Sequence, residues 1–95
     1  MEMLEKLEFN PDEINALEEK TPTEIITEIE DSKELVSQNI TFLKDLGVKN
    51  YKDIVINYSS FFLMEEDKFQ GIFTKYDKED LIEKLAKNIA IIEHL

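Results

Sequence analysis

The chain has 95 residues, with 22 Asp and Glu, 11 Lys, no Cys and a formal net charge of −11 at pH 7. This length predicts one domain, residues 1–95, and the missing Cys excludes a disulfide framework or a thiolate metal site. No apolar run approaches the roughly 20 residues that cross a bilayer.

The charge is unevenly placed. Residues 1–34 hold twelve acids and three lysines, net −9, and the rest holds ten acids against eight lysines. There is no Arg. A chain this short buries only about 60–70% of the surface exposed when unfolded. Twelve Ile, ten Leu and six Phe are the expected core. The start, Met1-Glu2-Met3-Leu4-Glu5-Lys6, lacks the basic and apolar regions of a signal peptide, so a cytoplasmic protein is expected.

The first helix start lies at Asn10-Pro11-Asp12-Glu13. Asn10 can cap, Pro11 suits the first helical position, and Glu13 is at N3. This helix is expected to end near Lys20. Thr21-Pro22-Thr23-Glu24 is a second start signal, with Thr21 as cap and Glu24 closing a capping box. Ile25, Ile26, Ile29, Val36, Ile40, Leu43 and Leu46 then follow helical spacing. The stripe is weakest at Asp31-Ser32-Lys33, so it is either one helix of about 24 residues or two that meet near Ser32. Gly47 is the expected left-handed terminator, with Val48 making the apolar contact that accompanies it.

Asn50 is the expected cap of the next helix, whose buried face is Tyr51, Ile54, Val55 and Tyr58. Ser59-Ser60 breaks the pattern. Phe61-Phe62-Leu63-Met64 is too short to classify by period. Glu65, Glu66 and Asp67 favour another helix start, because the macrodipole attracts acids there. Its expected face is Phe69, Ile72, Phe73 and Tyr76, with Gly71 permitting close helix packing. Asp77 caps the last helix, with Asp80 at N3 and Leu81, Ile82, Leu85, Ile89 and Ile92 as its stripe. No segment alternates with period two. The fold class is therefore all-α, a compact bundle or short helical-repeat array of five to six helices.

One pattern recurs. Ala16-Leu17-x-x-Lys20-Thr21-Pro22-x-x-Ile25-Ile26 is echoed by Asp53-Ile54-Val55-x-x-x-Ser59-Ser60-Phe61-Phe62-Leu63. It is echoed again by Asp80-Leu81-Ile82-x-x-Leu85-x-x-Asn88-Ile89. Ile40-x-Phe42-Leu43-x-x-Leu46-Gly47-Val48 lies between the first two. Over residues 12–95 this resembles the repeat of the mitochondrial transcription termination factor (mTERF) family. The resemblance implies a helical-repeat fold and nucleic-acid binding on a basic concave face. Here only Pro22 matches the family's Pro, positions 59–60 are serines, and the charge of −11 opposes that ligand.

The chemistry of sites is sparse. His94 is the one His and lies at the expected end of the last helix. With it alone, zinc would depend on carboxylates. Glu65-Glu66-Asp67 and Asp77-Lys78-Glu79-Asp80 lack the register of a calcium loop and read as helix starts. Ser59 and Ser60 have no adjacent His. No catalytic residue, metal ligand or cofactor is assigned, and the chain is read as non-enzymatic. Lys44, Lys49 and Lys52, and Lys75, Lys78, Lys84 and Lys87, alternate with acids and do not form the clustered cation that phosphate contacts need.

Two candidate binding surfaces remain. Glu24, Glu28 and Asp31 share one flank of the long stripe, with Glu18, Glu19, Glu30 and Glu34 around them. They form either a solvated face or a docking surface for a basic protein partner. Tyr58, Phe61, Phe62 and Met64 form an apolar interaction patch if exposed, and core if buried. The expected function is a small acidic protein-binding module, adaptor or inhibitor. The alternatives are a nucleic-acid mimic that blocks a DNA- or RNA-binding protein, and an mTERF-like nucleic-acid binder. Nucleic acid and membrane are disfavoured as partners. The apolar end of the last helix, Ile89, Ile91, Ile92 and Leu95, suggests a homodimer.

Overall fold

A computed structural model describes residues 1–95. Seven α-helices and two 3₁₀ segments carry the chain, with no strand. In order they are α1 (Glu2–Lys6), α2 (Pro11–Lys20), α3 (Thr23–Asp31), α4 (Lys33–Leu46) and α5 (Tyr51–Asn57). A 3₁₀ corner (Ser59–Leu63), α6 (Glu66–Thr74), α7 (Lys78–Lys87) and a terminal 3₁₀ segment (Ile89–His94) follow. The fold is all-α. The α-helix number exceeds the expected five or six because α1 carries no start signal.

Local chemistry explains the elements that were legible. Asn10 Oδ1 accepts the Glu13 N–H at 2.8 Å, and Glu13 Oε1 accepts the Asn10 N–H at 2.9 Å. This reciprocal capping box, with Pro11 behind it, starts α2. Asp77 Oδ2 likewise accepts the Asp80 N–H at 3.0 Å and starts α7. Gly47 ends α4 at φ +106°, a backbone region that disfavours side chains, and Val48 beside it is buried.

Several expectations are corrected. Thr21 does not cap α3, which begins after Pro22 without a side-chain cap. Thr21 is instead buried, its hydroxyl 2.9 Å from the Ser59 hydroxyl, so Glu24 has no capping box to close. Asn50 makes no cap bond either; its Nδ2 donates to the Leu85 carbonyl at 2.9 Å, tying α5 to α7. Of the two readings of the stripe of residues 25–46, the second holds: two helices meet at Ser32, which adopts φ −112° and ψ +31°. The last helix stops at Lys87, because Asn88 turns extended and its Oδ1 accepts the Ala90 N–H at 3.0 Å. Gly71 faces open space and permits no close packing.

One apolar core of 19 buried residues draws on every α-helix. α2 packs on α5, and α4 packs on α6 and the 3₁₀ corner. Five of the six phenylalanines meet at that junction. Phe69 and Phe73 lie 4.9 Å apart by ring centroid, and Phe61, Phe62 and Phe42 surround them. The edge and tilted geometries suit the ring quadrupoles. Phe9 pairs with Tyr51 at the other end.

Asn39, fully buried on α4, fixes the corner to this junction. Its Nδ2 donates to the carbonyls of Phe62 at 3.0 Å and Met64 at 2.8 Å. A 3₁₀ turn leaves such carbonyls without helical partners, so the amide supplies the missing donors.

Candidate interaction surface

The apolar candidate does not form an exposed patch. Phe62 is completely buried, and Tyr58, Phe61 and Met64 are half-buried against the core. Burial of a Phe is worth about 2–3 kcal/mol, and the Phe69–Phe73 pair on α6 offers these rings a neighbouring apolar face. Tyr76, expected on the buried face of α6, is the one large hydrophobic side chain that stands exposed.

The acidic candidates are all exposed: Glu18 and Glu19 on α2, Glu24, Glu28, Glu30 and Asp31 on α3, and Glu34 on α4. None makes a salt bridge; the four ion pairs are Lys6–Glu2, Lys52–Glu13, Lys84–Asp80 and Lys87–Glu83. Lys20, the nearest cation in sequence to Glu18 and Glu19, donates instead to Asn57 Oδ1 at 2.9 Å. Glu24 and Glu28 are like charges one turn apart, and Asp31 follows Glu28 by three. Such pairs cost a few tenths of a kcal/mol each.

Their helix positions matter more. Glu18 and Glu19 lie in the last turn of α2, and Glu28, Glu30 and Asp31 in the last turn of α3. The macrodipole disfavours negative charge at a C-terminal end. α3 has no basic residue in that turn. The break at Ser32 creates this situation: in one continuous helix, Glu30 and Asp31 would sit mid-helix. It also moves Glu34 into the first turn of α4, where the dipole favours it. Glu34 therefore leaves the α3 set and joins a different feature.

That feature is a groove of about 580 Å³ between α1 and the start of α4. Glu2, Met3, Lys6 and Leu7 line one side, and Lys33, Glu34, Ser37 and Gln38 the other. It is not visible in the sequence, because α1 lacks a cap and carries no start signal. Its only sequence signal is the period of Met3 and Leu7, one turn apart.

No group of three or more Asp, Glu or His side chains converges as a cation cage. The carboxylates are spread over a surface, which suits a field and not a coordination site. No helix is long and apolar enough to cross a membrane. His94 is exposed within the terminal 3₁₀ segment. Comparison with protein-family models, curated proteins and solved structures finds no match to this chain.

Proposed function

We propose that this chain is a non-enzymatic protein-binding module that docks a partner with a basic surface through the carboxylates of α2 and α3. One observation carries this reading: exposed, unpaired acids cluster in helix turns where they weaken the helix. Acids that only maintained solubility would cost less at the helix starts. Five acids at two C-terminal turns are a charge arrangement that the fold itself disfavours. A field of one sign speeds encounter with a complementary surface, and a salt-sensitive on-rate is its signature.

Affinity capture at low and high salt tests the reading. The wild type is compared with a variant neutralised at Glu18, Glu19, Glu24, Glu28, Glu30 and Asp31 by Gln and Asn. The expected outcome is a basic partner retained at low salt by the wild type and lost by the variant. Equal retention at both salt concentrations removes electrostatic steering from the mechanism. Displacement of the partner by a nucleic acid would point to the mimic reading, in which carboxylates occupy a phosphate-binding groove.

A further inference from the structure

We infer that the groove between α1 and α4 receives a short basic segment of the partner protein, with one apolar side chain seated on Met3. This rests on the acidic-face reading and names where the encounter ends.

All three depressions on the surface meet at Lys33, beside the Ser32 break. The largest, at about 580 Å³, lies within the size range of sites that hold a peptide side chain or small ligand. Its apolar lining is Met3 and Leu7, and Met1 and Met3 line the adjoining depression. Methionine is unbranched and polarizable, so it adapts to an incoming side chain of unspecified shape. Above this lining, Ser37 and Gln38 have side chains with no hydrogen bond in the fold, free to meet a peptide backbone.

Charge selects the occupant. Glu30 and Glu34 border the connected depressions, and neither forms an ion pair. Glu2 is countered by Lys6 at 3.7 Å. Lys33 is the one unpaired lysine of the rim, flanked by Glu30, Asp31 and Glu34. A segment bearing two or more lysines or arginines beside a Leu-sized residue satisfies the carboxylates and the apolar lining together. Such a segment approaches past α3, whose acids adjoin the groove through Glu30 and Asp31.

The test uses the wild-type chain with methyl-labelled methionine and a synthetic amphipathic Lys–Leu peptide, followed by NMR at low salt. Met64, held at the 3₁₀ corner, is an internal reference. The expected result is movement of the Met1 and Met3 methyl signals with Met64 unmoved, and severalfold tighter binding by Lys33→Gln. The same peptide with Gln in place of Lys is expected to leave all three signals in place. Salt-sensitive binding that perturbs α2 and α3, read in parallel from backbone amide signals, but not Met3 overturns the groove and leaves the acidic-face reading standing. Equal movement of all three methionines also overturns the groove. Failure of any basic peptide to bind at low salt overturns both.

Discussion

Asn39 shows how a single polar side chain decides a backbone path. Its amide reaches two carbonyls of the corner that no helix satisfies. Asn39→Leu keeps the volume roughly and removes both donors, and each unpartnered buried carbonyl costs about 1–3 kcal/mol. The expected loss is about 2–3 kcal/mol, read as a lower urea midpoint at unchanged m-value. The two glycines divide in the opposite sense. Gly71→Ala replaces a helical glycine that faces open space and is expected to stabilise by about 1 kcal/mol. Gly47→Ala meets both φ +106° and the Ile82 Cδ1 at 3.2 Å, and is expected to destabilise by at least about 1 kcal/mol. Thermal melts of the two variants, measured together, check the sign of each. Neither Asn39 nor Gly47 differs in type from what the sequence displays, yet only Gly47 was legible. A helix terminator acts on its own neighbours, whereas Asn39 acts on residues more than twenty positions away.

At the scale of elements, the N-caps separate what is local from what is not. Asn10→Ala and Asp77→Ala each remove an N-cap bond and are expected to cost about 1 kcal/mol. Thr21 looks equally like a cap, but tertiary packing against Ser59 takes its hydroxyl. A double-mutant cycle of Thr21→Val and Ser59→Ala is therefore expected to show coupling between α3's approach and the corner, while Thr21→Val leaves α3's own start unaltered. The acidic ends of α2 and α3 belong at this scale too. Glu30→Gln with Asp31→Asn removes charge that opposes the α3 dipole. It is expected to raise stability by a few tenths of a kcal/mol while weakening capture of the partner. A variant that is more stable and binds as well as the wild type would separate these acids from function.

At the scale of the molecule, the charge of −11 sits on a body of 34 × 25 × 22 Å. These dimensions are only a few Debye lengths at physiological salt, about 8 Å each. Self-repulsion is therefore felt across the whole fold. Added NaCl is expected to raise the Tm, and the variant neutralised on α2 and α3 is expected to show a smaller rise. The groove also belongs to this scale. It exists because α1, five residues without a cap, is held against α4 by burial of Leu4. So short a helix has little stability of its own, and no local signal announces it.

The sequence by itself determined the helical class, the starts of α2 and α7, the stop at Gly47 and the location of the excess charge. Each follows from interactions within a turn or two of the chain, where spacing and side-chain type suffice. Only the tertiary structure decided that the Phe61–Met64 run folds inward and that Thr21 and Asn50 serve distant partners. It also decided that the acids of α3 end a helix at Ser32 and adjoin a groove. Those outcomes depend on which buried group lacks a partner once helices meet, and contacts separated by twenty to forty residues leave no periodic trace.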